Sequence, residues 1–300
     1  MSKFHMITME DQAWLTPILM NQTKRSCEYS FGNLYTWRDV SCVHVLPFEG
    51  GALVRFDCDY ACYLFPIGCA DLPRAIEAIE EDAAVTGHRF LIAVCSEEEC
   101  RAVEAAFPGV YRLEETPAYG EYIYRSSDLA GLAGKHYHQK RNFIARFEAE
   151  YPDARFVTLT GADEARMLAM NEAWYAERTA GTQPPKSIVH EHLAVIEAIR
   201  HMEPLGFSAG GIEVGGRLIA FSLGEPIQND TFCVHIEKAF TNYVGSYAII
   251  NREFVRAFGK DYLYINREDA AGIEGLIKAK QSYYPVEVTR KFVITRRESA

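Results

Sequence analysis

Residues 206–247 read GFSAGGIEVGGRLIAFSLGEPIQNDTFCVHIEKAFTNYVGSY. Three apolar runs with β-branched residues, 206–214, 217–225 and 231–238, are divided by Gly215-Gly216 and Asn229-Asp230. Those pairs are tight-turn chemistry, so the stretch predicts an antiparallel meander. Beyond Gly245, apolar residues recur at helical spacing from 246 to 258. A meander whose last strand feeds a helix implies a sheet with helices packed on its faces.

Reading outward completes the unit. Upstream lie a strand at 154–159 and helices at 163–178 and 187–201, parted by Gly181, Pro184 and Pro185. Downstream lie a short buried strand at 262–265, a helix at 272–282 and a last strand after Pro285. This order, in a mixed α/β sheet, is similar to the Gcn5-related N-acetyltransferase (GNAT) fold. The first half repeats the theme. Helices at 10–20 and 31–39 precede strands at 42–47, 52–57 and 60–66; then come a helix at 72–86, a strand at 90–94 and a helix at 96–107. Runs 110–115 and 121–124 form a closing pair. The expectation is a tandem duplication: a GNAT-like domain at 1–127 and a second at 128–300 that carries the site. Ser126, Ser127 and Asp128 supply a helix cap at the junction.

Composition agrees with two soluble units. The chain has 300 residues, 48% hydrophobic and 24% charged, enough for two cores and unlike a disordered chain. A net charge of −10 argues against broad adhesion to DNA or an anionic bilayer. No apolar run approaches the roughly 20 residues of a membrane span, and residues 1–12 lack a signal-peptide core. A bacterial-type cytoplasmic protein is expected. Cys27, Cys42, Cys58, Cys62, Cys69, Cys95 and Cys100 fall in the first third without a C-x-x-C pair. They read as small buried hydrophobes, with no metal site expected.

Three constellations carry candidate chemistry. Lys135, His138, Lys140, Arg141 and Asn142 form a basic helix start in an acidic chain, either an anion site or a solvated face. His235 and Glu237 stand on the central strand, near Glu225 on its neighbour. They are candidates for the base that acyl transfer to an amine needs, with Tyr283 as acid. Each has an ordinary alternative: an exposed strand carboxylate, a hydrogen-bonded core histidine. The next helix starts at Gly245, Ser246 and Tyr247, where this fold directs N–H groups at a pyrophosphate. Against the signature Q/R-x-x-G-x-G/A, Asn242 and Tyr247 depart and Gly245 matches, which weakens coenzyme A as donor. Last, Asn266, Arg267, Glu268 and Asp269 leave a buried strand, followed by Lys280. Arg267 suits a carboxylate or phosphate clamp, and the acids suit an amine.

Asn33-Leu34-Tyr35 with Trp37, Phe65-Pro66 with Gly68, Gly134-Lys135 through Asn142, His235-Ile236-Glu237-Lys238-Ala239 and Ile265-Asn266-Arg267-Glu268-Asp269 before Gly272 together resemble the DUF2156 family. The resemblance spans nearly the whole chain. That family is similar to the soluble carboxy-terminal domain of phosphatidylglycerol lysyltransferases. It implies a tandem acetyltransferase-like fold and an aminoacyl-tRNA donor in place of acyl-CoA, with no tightly bound cofactor. By the same resemblance, the basic helix meets acceptor-stem phosphates and the ester enters beside residues 266–269. A small-molecule or peptide acceptor is expected. The membrane spans that present lipid in the full lysyltransferases are missing here, which argues against a lipid acceptor. A non-catalytic ligand- or tRNA-binding module with a degenerate cleft is the competing expectation.

Overall fold

The computed structural model describes residues 2–57, 61–181 and 183–297. Cys58 and the first residue of the expected strand 60–66 lie outside them. The chain divides into two compact units. One comprises Met1–Glu121, Asp269–Leu276 and Val288–Ala300, the other Tyr122–Glu268 and Ile277–Glu287. Each holds a mixed sheet with helices, so the α/β arrangement occurs twice.

In the first unit the strand order is His5–Met6, Val43–Phe48, Gly51–Phe56, Cys62–Leu64, Leu91–Cys95, Phe292–Arg296, Tyr111–Glu115. The helix Leu72–Thr86 begins where the Asp71 side chain accepts from the Arg74 N–H at 3.1 Å, and ends at Gly87 with φ 74°. Its apolar stripe, Ile76, Ile79 and Ala83, is buried with Tyr63, Ile92, Val103 and Ile294. Each such aliphatic side chain contributes about 1.5–3 kcal/mol by leaving water.

The second sheet runs Glu287–Val288, Tyr122–Arg125, Tyr264–Asn266, Thr231–Ala239, Arg217–Gln228, Ser208–Val214, Arg155–Leu159. The three-strand meander forms as expected, antiparallel throughout. Phe221, Phe232, Ile250, Phe254 and Ile265 make its core. Phe232 meets Phe254 and Tyr262 with ring centroids 6.0 and 5.5 Å apart, so truncating it to Ala costs about 3–5 kcal/mol. Among the described residues no helix is long and apolar enough to cross a membrane.

Three local expectations give way. Runs 110–115 and 121–124 do not pair with each other. Tyr111–Glu115 hydrogen-bonds to Phe292–Arg296, while Tyr122–Arg125 joins Tyr264–Asn266. The region after Pro285 therefore forms two strands, Glu287–Val288 and Phe292–Arg296, and the latter lies in the first sheet. For the same reason a single break at 127/128 does not describe the units, because the first sheet takes in Phe292–Arg296 and the second takes in Tyr122–Arg125. Finally, the helix Ser246–Phe254 continues as a wider π-turn, Val255–Gly259. Gly259 closes it where a Cβ would lie 2.6 Å from Ile265 Cδ1.

Candidate functional site

The site is made by two irregularities in the second sheet. Strand Thr231–Ala239 pairs in parallel with Tyr264–Asn266 only at Thr231↔Tyr264, Phe232↔Ile265 and Cys233↔Asn266. Every residue of Tyr264–Asn266 is paired, and from Val234 onward the longer strand has no partner on that side because the shorter one ends at Asn266. On the opposite side the register jumps from Leu223↔Ile236 to Gly224↔Val234, leaving His235 as the extra residue of a β-bulge. Gly224 is required beside it: a Cβ there would lie 2.3 Å from the Cys233 carbonyl oxygen.

The bulge delivers His235 between two carboxylates. Its Nδ1 lies 2.7 Å from Glu268 Oε1 and its Nε2 3.1 Å from Glu225 Oε1. Cys233 Sγ stands 3.6 Å from Nδ1, and Phe207 packs beside the ring. Side-chain exposures are 6% for His235, 14% for Glu225 and 25% for Glu268. Burial opposes the charged imidazole, but Cys233 and the two carboxylates outweigh it and hold its pKa well above the ordinary histidine value. Glu268 sits in the left-handed region, φ 58°. Its N–H donates to Asn266 Oδ1 at 2.6 Å, and its carbonyl accepts from the Tyr122 N–H and Lys280 Nζ, each at 3.1 Å. A strained residue held so firmly beside polar groups is typical of functional positions.

A second cluster lies two residues further along the strand. Arg267 Nη2 donates to Glu237 Oε1 at 2.8 Å, and Asn251 Nδ2 to Glu237 Oε2 at 3.0 Å. Both oxygens of Glu237 are thus engaged. The guanidinium lies 4.8 Å from the Tyr283 ring centroid and 5.8 Å from that of Tyr124; its Nη1 is buried without a hydrogen-bond partner. Lys140 Nζ sits 3.9 Å from the centroid of the same Tyr283 ring. Burial, then Arg267, push the Lys140 ammonium down to about 8 against the opposing pull of Glu237. Burial raises the Tyr283 hydroxyl, with Arg267 opposing, so it stays a proton donor.

The remaining expected site residues divide. Arg141 donates to the Gly134 carbonyl at 2.7 Å and holds the preceding loop. His138 and Asn142 contact each other at 3.1 Å on the exposed helix face, where Lys135 is exposed too. Lys280 Nζ donates to the Arg267 and Glu268 carbonyls and so shapes the loop. Asp269 accepts from the Ala271 N–H at 2.6 Å and belongs to the other unit. At the helix start, Gly245 has φ 97°, and a Cβ there would lie 2.4 Å from the Phe143 carbonyl oxygen. The Ser246 N–H and hydroxyl donate to the Tyr243 and Phe240 carbonyls, and the Tyr247 hydroxyl accepts from Trp174 Nε1 at 3.3 Å.

Sequence reasoning missed several contributors. Tyr137, wholly buried, donates its hydroxyl to the Tyr283 carbonyl at 2.8 Å; Tyr124 does the same to the Lys280 carbonyl at 2.8 Å. Asn251 and Cys233 had no local signal, since their roles depend on partners more than ten residues away or on the bulge.

A family model described as phosphatidylglycerol lysyltransferase, C-terminal, matches residues 21–295. Among solved structures, a conserved protein of unknown function from Bacteroides thetaiotaomicron is 35% identical, with TM-score 0.93 over 99% of this chain and 100% of that one. The C-terminal DUF2156 domain of a protein named as a lysylphosphatidylglycerol synthetase from Agrobacterium fabrum is 12% identical. Its TM-score is 0.66 over 96% of this chain and 92% of that one. A tandem GNAT protein from the clavulanic acid biosynthesis pathway also matches, 11% identical, with TM-score 0.49 over 99% of each chain. No curated protein matches.

Proposed function

Starting from the chain's membership of the phosphatidylglycerol lysyltransferase C-terminal family, we propose that it transfers an aminoacyl or acyl group to an amine or hydroxyl at the gap beside His235. The observation that carries this reading is the bulged His235 held between Glu268 and Glu225 at 2.7 and 3.1 Å, where pairing with Tyr264–Asn266 has ended. An aminoacyl-tRNA is the favoured donor over acyl-CoA. A pyrophosphate needs free N–H groups at a helix start, and here the Ser246 N–H is donated to the Tyr243 carbonyl while Phe143 and Phe147 pack against Gly245.

In this reading an acceptor ammonium is drawn to Glu268 and Glu225, with the imidazolium between them, and passes its proton to the Glu268 carboxylate. The free nitrogen attacks the ester carbonyl. The new C–N bond forms as the ester C–O bond breaks, and Tyr283 is placed to protonate the departing oxygen. The ammonium of Lys140 and the open Nη1 of Arg267 suit the charge that develops on the carbonyl oxygen. Glu237, engaged on both oxygens, positions Arg267 and is not the base. The acceptor is a small molecule or peptide. The packed helix start also favours a second reading, a cleft that binds a ligand without turnover.

The experiment presents the purified chain with radiolabelled aminoacyl-tRNAs and, separately, acetyl-CoA, with a pool of amine acceptors. The reading expects label transfer from aminoacyl-tRNA, reduced at least 100-fold in Glu268→Gln. Saturable binding with no product from either donor selects the second reading. Neither binding nor transfer rejects both.

A further inference from the structure

Cys233, His235 and Glu268 bring a sulfur, a ring nitrogen and a carboxylate oxygen within 4.8 Å of one another. We propose that these three residues form a binding site for a divalent transition metal of the zinc class, with Glu225 orienting the histidine. Cysteine, histidine and carboxylate together suit zinc or cobalt and do not suit magnesium or calcium. Zn–S near 2.3 Å and Zn–N near 2.0 Å at a tetrahedral angle put the two ligand atoms about 3.6 Å apart. Cys233 Sγ and His235 Nδ1 stand 3.6 Å apart, and Sγ lies 4.0 Å from Glu268 Oε1. The third edge, Nδ1 to Oε1 at 2.7 Å, is hydrogen-bond length. There a proton occupies the place the metal would take, and a swing of Glu268 by about 0.5 Å would open that edge to metal–ligand spacing.

Two further features separate this cluster from a chance gathering. Glu225 Oε1 faces His235 Nε2 at 3.1 Å, the carboxylate–histidine–metal arrangement that directs the other ring nitrogen to the ion. The cluster is also mostly closed to water, with both carboxylates on the imidazole. In the similar group Cys27, Glu28 and Glu121 a cation is already in place, since Lys291 Nζ lies 2.7 Å from Glu28 and 2.5 Å from Glu121. Three protein ligands leave a fourth position for water or an acceptor amine, as catalytic sites do. The proposal adds to the transferase reading and is tested without any substrate.

The test titrates the metal-free full chain with Co²⁺ and follows the thiolate-to-cobalt charge-transfer band. One Co²⁺ per chain, with a band removed by Zn²⁺, is expected. Cys233→Ser should abolish the band, Glu268→Ala should weaken binding at least tenfold, and Glu225→Gln should weaken it 10–100-fold with the band retained. Circular dichroism checks that each variant is folded; should Cys233→Ser unfold, the other two variants decide. Absence of the band in the wild-type chain at saturating Co²⁺ overturns the site. So does a band that persists in folded Cys233→Ser, or an affinity unchanged in both glutamate variants. Transfer without metal uptake would overturn the site and leave the transferase reading standing; metal uptake without transfer would do the reverse.

Discussion

Replacing Arg267 by Met tests whether the ion pair with Glu237 holds the second cluster together. The side chains are 12% and 13% exposed, and Nη2 lies 2.8 Å from Oε1. Removing one member of so buried a pair leaves an orphan charge, a loss of about 3–5 kcal/mol. The ring contacts at 4.8 and 5.8 Å add about 0.5–1 kcal/mol between them. Against this, Nη1 is already buried without a partner, and its removal returns about 1–2 kcal/mol. The net expectation for Arg267→Met is a loss of about 3 kcal/mol. Adding Glu237→Gln removes the orphan charge while keeping an acceptor for Asn251, and should recover about 2 kcal/mol. Urea unfolding of the wild type, both single variants and the double variant at pH 7 gives the coupling from the transition midpoints. A loss below about 1 kcal/mol for Arg267→Met, or a double variant that pays the full sum of the singles, refutes the pairing. Transfer should stay lost in the double variant even with stability recovered, because its guanidinium is still gone.

Three other expectations rest on separate observations. Lys291→Met should destabilise the first unit by about 3–5 kcal/mol in urea unfolding, because the ammonium lies 2.5 Å from fully buried Glu121. Gly245→Ala should cost about 1–2 kcal/mol for the left-handed backbone, and more for the clash with the Phe143 carbonyl oxygen; an unchanged midpoint would show that the turn is not packed as described. Lys140 titrates near 8 when folded against 10.5 for an ordinary lysine. Between those values the unfolded chain binds more protons, so this residue makes stability rise with pH across about 8 to 10.5. Lys140→Met should flatten that rise in unfolding midpoints measured across the window; an identical pH profile would remove Lys140 from its partly buried place beside Arg267.

Much of the fold was legible because local chemistry and global pairing agree. Gly215-Gly216 and Asn229-Asp230 do make the turns of the meander, and the helices at 163–178 and 187–201 appear as Glu164–Thr179 and Lys186–Arg200. The two closing strands were misassigned for a physical reason. Tyr122–Arg125 and Phe292–Arg296 are both short runs of aromatic and β-branched residues ending in Arg. Nothing local tells such a run which sheet it completes. At the site, His235, Glu225, Arg267 and Glu268 stood out as polar residues in or beside apolar strands. His235 with Glu225, and Arg267 with Glu268, were readable as neighbours; that Glu268 meets His235 and Arg267 meets Glu237 was not, because it depends on a bulge that no pattern marks. The same bulge hid Cys233: its partners are two and 35 positions away, a spacing that a search for paired cysteines passes over. Gly245 misled in the other direction, since a glycine required by the nearby backbone of Phe143 looks in sequence like one required by a ligand.

A structure of the chain with a non-hydrolysable 3′-aminoacylamino-adenosine shows whether substrate sits where strand Thr231–Ala239 runs on beyond its pairing with Tyr264–Asn266. The amide carbonyl is expected beside the strand beyond Cys233, within hydrogen-bonding reach of Tyr283 or Arg267, with the amino acid nitrogen toward Glu268. An analogue bound elsewhere, with Arg267 and Tyr283 untouched, would refute the transferase site.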